Sequence, residues 1–158
     1  RLRDGWIEVG LVEGATSPEF ERGTFGRDEL VAVASPAFLV GRKLPKNLTG
    51  ICELPLILRE NGAGSRQVLE RTFVERGLQP RIVATLDSAE AIVRYVEAGL
   101  GASLLPRLVV AEAVSRGSLV EIPAKDARLE LRFDWIRVPG RPISPSTKVF
   151  LDEFLNGS

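Results

Sequence analysis

The chain has 158 residues, 44% of them apolar and 27% charged; these are proportions of an ordinary globular protein and exclude disordered and fibrous classes, and a chain this long buries about 70% of its unfolded surface, enough to fold without covalent staples. Lys plus Arg and Asp plus Glu both number 21, so no net basic field draws this chain to nucleic acid. It has no His and a single Cys, Cys52, which excludes a Ser-His-Asp triad, a Cys-His dyad, His-ligated zinc and a disulfide framework.

The elements follow in chain order. Trp6-Ile7-Glu8-Val9-Gly10-Leu11-Val12 alternates in part and then turns apolar, which predicts a strand buried on at least one side. Residues 13–18 read as a loop. A second strand is predicted over 30–34, stopped by Ser35-Pro36. Residues 45–50 read as a polar, turn-rich connection, and 54–58 as a third apolar run in which Pro55 marks a strand start or an edge. Arg59 to Ser65 is a flexible turn. Ser65 is the expected N-cap of a helix over 66–76 with Leu69 and Phe73 inward and Val68 at its margin. Gly77 stands just past its end.

A further strand is predicted over 80–86. Asp87 or Ser88 then caps the next helix, and Asp87 with Glu90 has capping-box spacing. Ala89, Ile92, Val93 and Val96 give this helix the cleanest amphipathic pattern in the chain. Gly99 ends it, and 100–105 returns as a strand stopped by Pro106. A helix from Arg107 closes at Gly117. Residues 119–123 and 129–138 read as strands, the second half-exposed from its alternation. Ser144-Pro145 is an N-cap followed by Pro at the first helical position, opening a helix with Val149, Phe150, Phe154 and Leu155 inward. Strands alternating with helices in this way predict an α/β fold with mostly parallel pairing.

No apolar run approaches the roughly 20 residues of a membrane span, and the first residues lack the apolar core of a signal peptide. One free Cys suits a reducing compartment, so a cytoplasmic setting without membrane association is expected. Trp6 and Trp135 are expected in packing rather than as ligand platforms, and Cys52 as a quiet, semi-buried thiol. The i, i+4 pairs Arg66–Glu70 and Arg71–Glu75 read as surface charge. Gly62-Ala63-Gly64-Ser65 lacks the ending of a phosphate loop and reads as a turn.

Seven blocks in order resemble one family: Gly10-Leu11-Val12-Glu13-Gly14; Asp28 through Pro36; Leu54-Pro55-Leu56-Ile57-Leu58-Arg59-Glu60; Gly64-Ser65-Arg66; Ser88-Ala89-Glu90-Ala91-Ile92; the helix-Gly-Leu-Gly-strand-Pro run ending at Pro106; and Gly117-Ser118-Leu119-Val120. The chain is similar to the effector-binding (substrate-binding) domain of LysR-type transcriptional regulators over almost its whole length. The resemblance implies a two-lobed, type 2 periplasmic-binding-protein-like α/β fold over 1–158, with a small-molecule effector held in a cleft between the lobes to control transcription. Lobe 1 is expected over about 1–34 and 129–158, and lobe 2 over about 35–123. The resemblance also implies that the first βα unit of lobe 1 and the DNA-binding domain are absent from this sequence. DNA contact would then belong to that N-terminal domain, and a homo-oligomer, dimer or tetramer, to the parent protein. A solute-binding protein of a transport system shares the fold and is the alternative. No catalytic residue, metal ligand or cofactor is assigned, and the chain is not read as an enzyme.

Open α/β sheets bind ligands where strands end and helices begin, and free N–H groups at a helix start favour an anion. Three such points give the candidate effector contacts: Val12, Glu13 and Gly14; Asn61, Gly64 and Ser65; and Leu86, Asp87 and Ser88. A small carboxylate held by Ser65, Ser88 and backbone amides is the expected ligand class, although a Ser before a helix is by default only a cap. Glu13 would repel an anion unless paired; it selects a cationic or hydroxyl-bearing ligand, or else faces solvent.

Overall fold

The computed structural model describes residues 1–14 and 17–155, with side chains described through Glu153. Ala15 and Thr16 of the predicted loop, and the side chains of Phe154 and Leu155, lie outside the described residues. In chain order the elements are β1 (Gly10–Glu13), β2 (Glu21–Ala34), α1 (Pro36–Leu39), α2 (Leu48–Cys52), β3 (Leu56–Arg59), α3 (Gly64–Glu75), β4 (Ile82–Leu86), α4 (Ala89–Glu97), β5 (Ala102–Pro106), α5 (Arg107–Ser115), β6 (Val120–Glu121), β7 (Leu129–Arg137) and α6 (Pro145–Phe150). A 3-10 turn, Lys125–Ala127, precedes β7, and a π-helical turn, Leu151–Leu155, follows α6. The chain packs as two units: unit 1 comprises Arg1–Arg27 and Arg132–Ser158, unit 2 comprises Asp28–Leu131.

In unit 2 the strands lie in the order β4-β3-β5-β2, and β6 pairs with the end of β2. β3 is parallel to β4 and to β5, whereas β2 is antiparallel to β5 and β6. The mostly parallel sheet expected from the alternation of elements is therefore a mixed one. Only strands joined by a crossover helix are bound to run parallel, and β2 stands outside that succession. β3 is an interior strand, so Pro55 marks its start rather than an edge.

Every residue of β5 is buried, as an apolar run covered on both faces should be. Its polar member, Ser103, donates its hydroxyl proton to Ile57 O at 2.6 Å. Ile92 and Val96 of α4 reach the same core as Val31, Val33, Ile57, Leu105, Val110 and Leu119, each such side chain contributing about 1.5–3 kcal/mol. Two glycines shape the α4–β5 connection. Gly99 holds a φ of +78° that ends the helix. A Cβ on Gly101 would sit 2.5 Å from Pro55 O and 3.3 Å from Ile57 Cδ1, so only Gly lets β5 approach β3 this closely.

Unit 1 places β7 between β1 and the first part of β2, with β1 antiparallel to β7. Trp135 packs with Val9, Phe25, Ile143 and Leu151. Buried Asp134 accepts from Thr24 Oγ1 at 2.7 Å and from Arg132 Nη2 at 3.4 Å.

Several expectations are corrected. Trp6 is 83% exposed: residues 1–6 turn back on themselves through the bond from Trp6 N to Arg1 O, and the first strand begins only at Gly10, so Trp6 precedes the ladder. Trp6, Ile7, Leu11 and Phe150 line an open hollow of about 720 Å³. Val149 and Phe150 are exposed rather than inward, and Leu151 is the buried residue that follows. The connection over 45–50 contains the start of α2, capped by Asn47 Oδ1 on the Gly50 amide at 2.9 Å. Arg66 is not surface charge: it is buried, donating to Glu70 Oε1 at 2.9 Å and to Arg59 O at 3.2 Å.

Candidate functional site

β3 and β4 run side by side with Arg59 opposite Leu86, and the Glu60 amide donates to Leu86 O at 2.9 Å. The ends of both strands and the starts of α3 and α4 therefore share one edge of unit 2. This edge carries Asn61, Gly64 and Ser65 on one connection and Leu86, Asp87 and Ser88 on the next. Val12, Glu13 and Gly14 lie in unit 1, at the end of β1.

The helix starts in this molecule differ in one respect. Ser35 caps α1, Asn47 caps α2, Ser88 caps α4 and Ser144 caps α6, each through its own side chain. α5 begins behind Pro106, but Asp28 Oδ2 accepts its Leu108 amide at 3.0 Å. α3 has Ala63 at the cap position and no side-chain cap. Among the described residues, no acceptor takes the amides of Gly64 and Ser65. Ser65 is thus not the cap that the sequence suggested. The helix starts at Gly64, two residues earlier than expected, which places Arg66 where it reaches both Glu70 and Arg59 O. Ser65 becomes the second helical residue, 2% exposed, and among the described residues its hydroxyl makes no hydrogen bond. Free amides, the positive end of the helix dipole and an uncommitted hydroxyl make an anion-accepting corner.

Ser88 is differently placed. Its Oγ accepts from the Ala91 amide at 3.2 Å and donates to Glu90 Oε2 at 2.8 Å. Of the two caps open to the sequence reading, Ser88 rather than Asp87 is the one used, and its proton is already committed. Arg59 holds Glu60 with two bonds, at 3.0 and 2.9 Å. That pairing holds the Glu60 carboxyl below its usual range. Glu90 is also held low, first by its own backbone amide and then by the Ser88 hydroxyl. In the sequence Arg59 and Glu60 belong to a turn and a family block and Glu90 to a capping-box pattern, and none of them is among the candidate effector contacts; the signal for the pair is its place immediately after a buried apolar run.

In unit 1 the Gly14 amide donates to Arg132 O at 2.9 Å and fixes the end of β1. Glu13 Oε1 is buried and, among the described residues, has no hydrogen-bond partner. An acceptor buried in this way costs free energy until a donor meets it. Among the described residues no cluster of three or more His, Cys, Asp or Glu side chains could hold a metal ion, and no helix is long and apolar enough to cross a membrane.

The family model of the LysR substrate binding domain matches residues 1–157. The chain belongs to the LysR substrate-binding domain family. Among its relatives, the uncharacterized HTH-type transcriptional regulator YeiE of Escherichia coli K12 is 31% identical over 148 residues, 92% of this chain and 50% of that protein. The HTH-type transcriptional regulator CysL of Bacillus subtilis is 26% identical over 153 residues, 96% of this chain and 51% of that protein. This LysR substrate-binding domain spans about half the length of the curated relatives it matches. Solved structures agree on the periplasmic-binding-protein-like α/β fold. The CcmR regulatory domain of Synechocystis PCC6803, in complex with 2-PG, superposes with a TM-score of 0.86 at 22% identity, covering 99% of this chain and 76% of that one. The effector binding domain of QuiR, in complex with shikimate, gives 0.80 at 18% identity, covering 99% and 74%. YeiE and CysL are both named as HTH-type transcriptional regulators.

Proposed function

We propose that this LysR substrate-binding domain is the effector sensor of a transcription regulator, and that the effector's acceptor group, expected to be a carboxylate, sits on the uncapped start of α3. The observation that carries the reading is the contrast among the α-helix starts of the described residues: five are capped by side chains, and the sixth has Ala63 in the cap position, followed by Ser65, whose hydroxyl makes no hydrogen bond among the described residues. Gly64 and Ser65 supply amides, and Asn61 lies in the turn closed by the Ala63 amide on Glu60 O, just before the helix. Leu86, Asp87 and Ser88 form the adjoining wall, with Ser88 acting mainly by holding Glu90. In unit 1, Val12 and Gly14 hold the backbone of the β1 end, and Glu13 Oε1 is an acceptor for a donor-bearing ligand. The two complexes named above, with 2-PG and with shikimate, support a small polar molecule as the ligand class. On this reading the chain binds without turnover, with no cofactor and no metal, in the cytoplasm. DNA contact belongs to a part of the protein outside this sequence, and the whole protein works as a homo-oligomer. An effector regulates only if it binds one conformation more tightly than another.

The test is calorimetry with a panel of small hydroxy- and keto-carboxylates and their matched carboxamides, followed by amide NMR shifts with any binder. The expected result is selective carboxylate binding with the largest shifts at Gly64 and Ser65, and weaker binding in Ser65→Ala. Equal affinity for carboxamides, shifts confined elsewhere, or chemical conversion of the ligand would each overturn the proposal.

A further inference from the structure

The two segments that lead out of unit 2, the β2 end at Asp28 and the 3-10 turn ahead of β7, carry acids that cap helices far away in sequence. Asp28, the first residue of β2 within unit 2, accepts the Leu108 amide at 3.0 Å, across 80 positions. Next to it, Glu29 Oε2 takes Arg107 Nη2 at 3.1 Å, while Arg107 Nη1 reaches Glu121 Oε2 at 2.8 Å. Glu121 Oε1 also accepts from Arg128 Nη2 at 3.0 Å, and Arg128 is the residue immediately before β7. The other exit has the same design. Asp126, in the 3-10 turn ahead of β7, accepts the Leu48 amide at the start of α2 at 2.9 Å, across 78 positions. Its carbonyl accepts from Arg76 Nη1 at 2.8 Å, and its Oδ2 stands 3.6 Å from the same guanidinium.

A local cap such as Ser88 steadies only its own helix. A cap supplied from a distant strand makes the helix start and the strand one mechanical piece, because neither can shift without breaking the shared bond. We infer that Asp28 and Asp126 are paired anchors that make the exits of the two connecting strands part of the rigid body of unit 2. Glu121 ties the two exits together, since its carboxylate bridges Arg107, bound to β2, and Arg128, leading into β7. It is mostly shielded, which makes its pairs less screened than those of fully exposed partners. Bending of the connecting strands then falls on the unit 1 side of each anchor. The inference does not depend on where, or whether, an effector binds.

Amide hydrogen exchange on the whole chain, followed residue by residue, tests it with Asp28→Ala, Asp28→Asn, Asp126→Ala and Asp126→Asn. In Asp28→Ala, exchange should quicken about fivefold, the size of one lost cap, at Leu108 and equally at Leu30 and Val31 on β2. In Asp126→Ala, the same should hold for Leu48 and for Leu129 and Leu131 on β7. The Asn variants keep an oxygen acceptor in place and should retain most of the protection. Ile57 and Ala84, on strands that carry neither anchor and receive no bond from either, should not change and report that the fold is intact. Acceleration at Leu108 or Leu48 alone would show an ordinary cap and overturn the anchor. Uniform acceleration that includes Ile57 and Ala84 would show general destabilisation and overturn it as well.

Discussion

Replacing Ala63 with Ser should make the protein more stable and a worse binder at once. Ala63 has φ −64° and ψ 139°, close to Ser35 at −74° and 151° and to Ser144 at −66° and 155°. Both of those serines accept a hydrogen bond from the amide three residues on. A Ser at 63 therefore has the backbone to cap the Arg66 amide without any rearrangement. The gain is the usual difference between Ser and Ala at a cap, about 1 kcal/mol, which for a chain of this size raises the unfolding midpoint by about 2–4 °C. The new hydroxyl also competes for the corner assigned to the effector's carboxylate. Losing one hydrogen bond to a charged group is worth about 1.5–3 kcal/mol, and each 1.4 kcal/mol is about tenfold in affinity, so binding should weaken by roughly one to two orders of magnitude. Differential scanning calorimetry and titration calorimetry on the same preparation read both effects. A stabilised variant with undiminished affinity would refute the assignment of the effector to α3. An unchanged midpoint would refute the premise that this helix start lacks a cap.

Three further outcomes are expected. Gly101→Ala pushes a Cβ to 2.5 Å from Pro55 O and should cost about 1–3 kcal/mol, the usual penalty of overpacking, in urea unfolding. Gly26→Ala is the control, because its nearest neighbour would be Phe133 Cδ2 at 3.5 Å, an ordinary contact; equal midpoints for the two variants would contradict the close approach of β5 to β3. Ser88→Ala removes both the cap on Ala91 and the hydroxyl that holds Glu90; it should lose about 1 kcal/mol of stability, and the Glu90 titration followed by NMR should move up towards the ordinary carboxylate range. Glu8 accepts from Thr147 Oγ1, from the Ser144 amide at 3.0 Å and from Ser144 Oγ at 2.9 Å, and these bonds hold its pKa below the usual range. Its contribution is therefore complete above the unfolded-state value and lost as pH falls through the lower folded value; Glu8→Gln should flatten the acid limb of the stability profile, and an unaltered limb would count against it.

The elements that could be read from the sequence were those in which several local signals agree. α4 has a cap at Ser88, an apolar face at 89, 92, 93 and 96, and a terminating Gly99, and all three operate in the structure. The family resemblance rested on ordered blocks rather than on any single motif, and the family match supports it. α3 could not be bounded the same way. A Ser beside two glycines looks like a cap, but the helix begins at Gly64, and what marks its true start is a residue type with no capping signal at all. The open site was therefore hidden behind Ala63, an absence of side-chain chemistry. α1 and α2 are too short to show periodicity, although Asn47 and Ser35 could have announced them. Trp6 was misplaced because a large apolar residue in an alternating run argues for a strand, while the chain turns before the ladder begins. Arg66 was misread because an i, i+4 ion pair has the same spacing on a buried face as on a solvated one.

A helix start attracts any anion, so α3 by itself does not choose among ligands. The choice falls to its surroundings. Arg59 is bound to Glu60, and Glu60 and Glu90 are both held ionised, so the edge that offers free amides also presents two carboxylates with acceptor capacity left over. A bare inorganic anion gains the amides but meets those carboxylates with nothing to give them. A molecule that joins a carboxylate to hydroxyl or amino donors turns the same neighbours into hydrogen-bond partners. Specificity then arises from repulsion of simple anions as much as from attraction. On the proposed reading, neutralising the edge with Glu60→Gln and Glu90→Gln should admit inorganic anions that the parent chain rejects, while a hydroxy-carboxylate should lose affinity. If sulfate and the hydroxy-carboxylate respond alike to both substitutions, the carboxylates take no part in selection and α3 acts alone.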